Sequence, residues 1–235
     1  MMKSGEQKRI ILAHGDKGGV GKSTFARLLA DYYEEHNISW HGYDTDNTNG
    51  HLVRFFGAKT TPILLRDEAS TSELLNALEA GQTHNLIDMG ARSGEVLSKW
   101  MADTDFLALC TELGFRVTVA FVLSPVLDSV ALLKTVSEQI GEKADYVVIK
   151  NEALGSSFEV YDKSKTRAKV TQVLGGIEIV LPELAEHAYQ RVDQLSISWR
   201  SAVETKELAL NVRQYVKVWL RRGFEQIEKA RTKLV

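Results

Sequence analysis

From His14 to Thr24 the chain reads His14-Gly15-Asp16-Lys17-Gly18-Gly19-Val20-Gly21-Lys22-Ser23-Thr24. An apolar run, Ile10 to Ala13, leads into this stretch, and a helix-like run, Phe25 to His36, leaves it. Strand, glycine turn, Lys-Ser and helix form the layout of a phosphate-binding loop. Glycines let the backbone curl so that several N–H groups face one anion. The following helix adds its positive N-terminal end. In such a loop Lys22 brings a full charge to the β- and γ-phosphates, and the Ser23 hydroxyl is placed to ligate Mg²⁺. A plain glycine-rich turn with two solvated lysines is the alternative.

The standard pattern G-x-x-x-x-G-K-[ST] would place a glycine where this chain has Asp16. Lys17-Gly18-Gly19-Val20-Gly21-Lys22-Ser23 instead resembles the deviant Walker A motif, K-G-G-x-G-K-[ST], of the MinD/ParA/nitrogenase-iron-protein family. The resemblance implies an ATP or ADP site cradled by Lys17, Gly18, Gly19, Val20, Gly21, Lys22, Ser23 and Thr24. It also implies that Lys17 reaches across a dimer interface to the nucleotide of a partner subunit.

Further along, short apolar runs alternate with helix-patterned segments. Strands are expected over Lys8–Ala13, Ile38–Tyr43, Asn85–Gly90, Phe106–Thr111, Arg116–Leu123, Tyr146–Ile149 and Gly176–Leu181, with a short extended piece over Thr60–Leu65. Helices are expected over Thr24–His36, His51–Phe56, Ser70–Ala80, Glu95–Ala102, from Pro125 to Ile140, over the polar stretch Phe158–Leu174, and from Glu183 onward. This alternation predicts an α/β fold. Its form is a three-layer P-loop NTPase architecture, a mostly parallel central sheet with helices on both faces. Residues 1–235 read as a single domain. Ligands in such sheets bind at the carboxyl ends of the strands.

Four polar strand ends are therefore candidate site elements. Asp88 ends an apolar strand, the Walker B position, where a carboxylate holds Mg²⁺; capping the next helix is its alternative role. Asp88-Met89-Gly90 resembles the family's start of switch II, whose backbone N–H senses the γ-phosphate. Asp44 and Asp46 stand where the family has D-x-D at the start of switch I. The resemblance puts Asp44 near the metal and gives Asp46 the attacking water. The family often continues Pro-Gln; here Asn47-Thr48 follow, and an Asx-rich turn is the other reading. Asn151 resembles the family asparagine at the adenine edge, and Pro182 the proline beside the base. The expected catalytic set is thus Lys17, Lys22, Asp46 and Asp88, and the expected Mg²⁺ set Ser23, Asp44 and Asp88.

Composition narrows the classes. The formal net charge is −2, so the surface as a whole is not a nucleic-acid sponge. The single cysteine, Cys110, sits in an apolar run and argues against a cluster bridged by paired cysteines, so no iron–sulfur group is expected. No apolar run approaches the roughly 20 residues that span a bilayer, and the first residues lack an apolar signal core; a cytoplasmic setting is expected. From Asn211 onward seven cations face two carboxylates, a segment charge of +5. Apolar residues recur there at helical spacing, giving a basic amphipathic segment over about 205–235. Such a helix packs on the sheet, or lies on lipid, DNA or a partner.

The expected function is an ATP-binding, slowly hydrolysing, Mg²⁺-dependent ATPase that dimerises with ATP. The resemblance points to plasmid partition or plasmid transfer (conjugation or mobilisation), with DNA or a DNA-bound protein as partner. A MinD-like membrane-positioning ATPase and an ATP-dependent small-molecule enzyme of the dethiobiotin-synthetase or cobyrinate-amidation type are the alternatives.

Overall fold

The computed structural model describes residues 7–15, 18–46, 50–64, 67–80, 83–90 and 94–235. Lys17, Asn47 and Thr48 lie outside them. Strand β1, Lys8–Gly15, is buried from Arg9 onward and leads into α1, Lys22–Glu35. There follow β2, Trp40–Asp44; α2, His51–Phe56; β3, Thr60–Pro62; α3, Glu68–Glu79; and β4, His84–Asp88. Then come α4, Gly94–Asp103; α5, Phe106–Glu112; β5, Phe115–Leu123; α6, Leu127–Ile140; and β6, Asp145–Asn151. Two short helices, α7 (Glu159–Asp162) and α8 (Lys165–Ala168), precede β7, Ile177–Leu181. The chain closes with α9, Glu186–Leu195; α10, Trp199–Glu204; α11, Leu210–Lys229; and α12, Arg231–Leu234.

Among the described residues the seven strands form one sheet in the order β3-β2-β4-β1-β5-β6-β7. Every pairing is parallel. β1 is therefore central, as a strand buried on both faces must be. Alternate residues feed two cores. Ile11 and Ala13 face α1, α9, α10 and α11, while Ile10 and Leu12 face the layer containing α3, α5 and α6. The three-layer α/β expectation is met.

Three local expectations are corrected. Phe106–Thr111 is helix α5 and not a strand: Phe106 and Cys110, four apart, are buried while Leu107 and Leu109 are half-buried. A short apolar run fits either period, and the strand places beside β1 belong to β4 and β5. Phe158–Leu174 is not one helix; Ser164 interrupts it, capping α8 by accepting the Arg167 N–H at 3.0 Å, and Lys169–Val173 winds into a π-helical stretch. Pro125 precedes α6, whose N-cap is Val126.

The basic segment docks on the core. α11 buries Val212, Val216, Trp219, Leu220, Gly223 and Ile227. A Cβ at Gly223 would meet Leu28 Cδ2 at 2.7 Å, so glycine sets the close approach of α11 to α1. The chain end is tied down as well. Thr118 Oγ1 donates to the Lys233 carbonyl at 2.6 Å and Arg9 Nε to the Val235 carbonyl at 3.1 Å. Asp145 receives Arg9, Arg116 and Lys233, which hold its carboxyl below the usual range against the opposing effect of burial.

Candidate nucleotide site

The described part of the loop, Gly18 to Gly21, turns through two left-handed glycines, Gly19 at φ +81° and Gly21 at φ +101°. Side chains other than glycine rarely adopt such angles. Gly21 is the N-cap of α1, and its carbonyl accepts the first helical bond from Phe25 N–H at 2.9 Å. Close approach is a second demand at this position: a Cβ on Gly21 would lie 2.5 Å from Asn151 Nδ2. Gly18 and Gly19 are exposed, Val20 and Lys22 buried, and Ser23 and Thr24 half-buried.

Asn151 reaches this loop from the end of β6. Its Nδ2 donates to the Val20 carbonyl at 2.8 Å, and its Oδ1 accepts the Ala153 N–H at 3.1 Å. The side chain expected at an adenine edge thus braces the phosphate loop in this structure. Pro182, just past β7, is buried, and its carbonyl accepts from Trp219 Nε1 at 2.7 Å. α11 thereby fixes the strand end beside the loop.

The aspartates gather on the other side of β1. Register pairs Ala13 with Asp88 across β1 and β4, and Asp88 with Asp44 across β4 and β2. Asp88 is buried, and the Ser23 side chain and Lys22 near it oppose the rise of its carboxyl pKa. Its Oδ1 is buried with no hydrogen-bond partner. Burial, then the negative charge of Asp44, pushes its carboxyl up to about 7. A buried carboxylate oxygen with nothing to accept from is a place where a cation is missed electrostatically.

Asp44 has a different position. Its Oδ2 accepts the Leu52 and Val53 N–H groups at 2.8 and 3.2 Å, and its Oδ1 accepts the Asp46 N–H at 3.0 Å. It therefore caps α2 and shapes its own turn; burial still raises its carboxyl, against these donors. Asp46 is half-buried, with its Cα 3.3 Å from where a Cβ on Gly90 would stand. Lys17 lies outside the described residues.

Two contributors carry no motif signal. Thr45, between the aspartates, bonds both to Asp88 and to Gly90. Arg27, wholly buried on α1, is sandwiched between Phe55 at 3.3 Å and Trp199 at 3.9 Å, clamping α2 and α10 against the helix that follows the loop. Only the pairing of Thr45 with flanking aspartates hints at the first; nothing local marks the second. His14 is neutral: burial, then Lys22, lowers it to about 4, and its ring stacks on Phe121 at 5.5 Å.

No protein-family model matches the chain. It is 28% identical over 219 residues to Protein MobD of Acidithiobacillus ferrooxidans, covering 90% of this chain and 93% of that one. It is 27% identical over 233 residues to a Protein TraL of Escherichia coli, covering 91% and 95%. Among solved structures, a putative plasmid partition protein of Borrelia burgdorferi bound to AMPPNP aligns with a TM-score of 0.54 at 15% identity, over 95% of this chain and 99% of that one. The MinC:MinD cell division complex of Aquifex aeolicus gives 0.50 at 13% identity, over 92% and 95%. The loop, the parallel sheet and these likenesses agree: the chain has the fold of the MinD/ParA-type P-loop ATPases.

Proposed function

We propose that this chain binds ATP with Mg²⁺ at the loop of residues 17–24 and uses slow hydrolysis to time its own dimerisation. The observation that carries the reading is Asp88 Oδ1, buried with no hydrogen-bond partner at the end of β4, where Asp88 pairs with Ala13 of the strand that leads into the loop. Hydroxyl and carboxylate oxygens are hard donors of the kind Mg²⁺ takes. Mg²⁺ bound there would neutralise charge on the phosphates. Lys22 would contact the β- and γ-phosphates, and Gly18 to Thr24 would cradle them. Asp46 would orient the attacking water, and Lys17 would stabilise phosphate charge in the partner subunit's site. The Asn151 amide keeps one Nδ2 hydrogen for an adenine edge after bonding Val20.

For the process, we favour segregation or transfer of plasmid DNA. The likeness to a plasmid partition protein and the exposed cations Lys217, Arg221, Arg222 and Lys229 on α11 support DNA or a DNA-bound protein as partner. The lipid-positioning alternative is weakened because the apolar face of α11 is buried against the protein. Among the described residues no helix is long and apolar enough to cross a membrane.

The test is mass by light scattering, with ADP and with ATP plus Mg²⁺, for wild type and Lys17→Ala. A dimer with ATP alone, lost in Lys17→Ala, is expected. A monomer in every state would overturn the switch and favour a small-molecule ATP-dependent enzyme.

A further inference from the structure

On the side of the sheet away from α1, a cavity of about 360 Å³ lies between the strands and the helices. Leu12 of β1 and Val119 of β5, both buried, form its floor. Met101 of α4, Leu107 of α5 and Val136 of α6 form its walls. The lining residues that reach solvent include Asp105, Gln139 and Lys143. One polar side chain lies inside: His14, only 8% exposed, lines the cavity from the end of β1. Its ring stacks on Phe121 at 5.5 Å, and its Nδ1 is buried with no hydrogen-bond partner among the described residues. Burial, then the charge of Lys22, lowers its pKa to about 4, so the ring is neutral at pH 7. Both effects oppose a positive charge here, and burial opposes a negative one as well. The phosphate loop runs into α1, which packs on the other face of the sheet, so this cavity is separate from the candidate nucleotide site.

We propose that this cavity is a second ligand site, for a small uncharged molecule with an aromatic body and one hydroxyl group, held by a hydrogen bond to the His14 ring. The inference does not depend on the nucleotide reading above. Size sets the body: an apolar cavity of roughly 150 Å³ takes benzene, and about twice that space suits two fused rings or one ring with a short chain. Met101 favours an aromatic body, because a thioether sulfur makes favourable contacts with ring edges. A hydroxyl both donates and accepts, so it satisfies a neutral imidazole in either tautomer. It also gives a partner to a side chain that otherwise keeps an unpaired buried nitrogen, and one such polar anchor in an apolar pocket sets orientation and specificity. Asp105 and Lys143, both exposed at the mouth, carry opposite charges and give no net pull on a charged ligand.

The test uses 2-naphthol, followed by its fluorescence, and naphthalene, which has the same rings and no hydroxyl. Wild type should bind 2-naphthol saturably and about three- to tenfold more tightly than naphthalene, the scale of one net hydrogen bond. His14→Phe should bind the two equally. Ala102→Phe places a ring at an exposed lining position of α4 and should weaken both. In methionine-methyl-labelled wild type, the Met101 signal should shift as 2-naphthol is added, a readout that needs no variant to fold. Excess ADP should leave the bound 2-naphthol in place. Absence of saturable binding up to the solubility of 2-naphthol would overturn the proposal, as would a Met101 signal that does not move. Displacement by ADP would put the molecule in the phosphate loop and overturn it too. Equal affinity of wild type for 2-naphthol and naphthalene would overturn the role of His14.

Discussion

Asn151 holds the carbonyl of Val20 at 2.8 Å, across 131 residues of sequence, and so fixes the phosphate loop to the far strand beside it. The bond is buried, and Gly21 sits so close under it that no side chain fits. Gly18 to Gly21, the described part of the loop, is therefore held in its turn by β6, which would lower the ordering cost of binding a ligand there.

Asn151→Ala leaves the buried Val20 carbonyl unsatisfied, which costs about 1–3 kcal/mol. Thermal denaturation should register the loss, and ADP affinity should drop by roughly tenfold or more as the loop loosens. Gly21→Ala should be worse, because it adds strain at φ +101° to the clash with Asn151. Wild-type affinity in Asn151→Ala would show that the brace is irrelevant to binding.

His14 supplies a pH dependence with a definite sign. Burial, then Lys22, lowers its pKa from 6.5 to about 4 in the folded protein. Between those values the unfolded chain binds the extra proton, so stability rises with pH. The contribution is complete above about 6.5, declines as pH falls, and levels off below about 4, amounting to about 3 kcal/mol in all. His14→Phe should flatten the denaturation midpoint between pH 6.5 and 4.5 relative to wild type. Parallel pH profiles for the two proteins would refute the buried neutral imidazole.

If α11 meets DNA, affinity should fall steeply with salt, because phosphate contacts release counterions. Lys217, Arg221 and Arg222 project from the helix while Val216, Trp219 and Leu220 carry the packing. Replacing the three cations with glutamate should preserve the melting temperature, abolish ATP-dependent DNA retention in a mobility assay, and leave ATP binding intact. Unchanged DNA retention would move the contact elsewhere. Binding to anionic vesicles in place of DNA would revive the membrane reading.

Much of this arrangement was legible in the sequence for physical reasons. A glycine turn between an apolar run and a helix has few other uses, and apolar runs ending in Asp44 and Asp88 mark buried parallel strands with their carboxyl ends together. What was illegible is long-range or degenerate. Phe106 to Cys110 is apolar enough to satisfy a strand or a helix, and only the packing of the other strands decides between them. The amphipathic pattern of α11 looks the same whether its apolar side meets lipid or α1, and no local pattern marks Gly223 as the contact point with Leu28. The commitment of Asp44 to the α2 amides and the Thr45–Gly90 bond depend on strand order, which no local pattern contains.

The central claim is that the loop and Asp88 form an ATP·Mg²⁺ site. Equilibrium titration of a fluorescent ATP analogue, with Mg²⁺ and with EDTA, tests it most directly in wild type, Lys22→Ala and Asp88→Asn. The account predicts saturable binding to wild type that tightens with Mg²⁺, loses that Mg²⁺ dependence in Asp88→Asn, and collapses in Lys22→Ala. Failure of folded wild type to bind at millimolar nucleotide, or equal binding by Lys22→Ala, would contradict it.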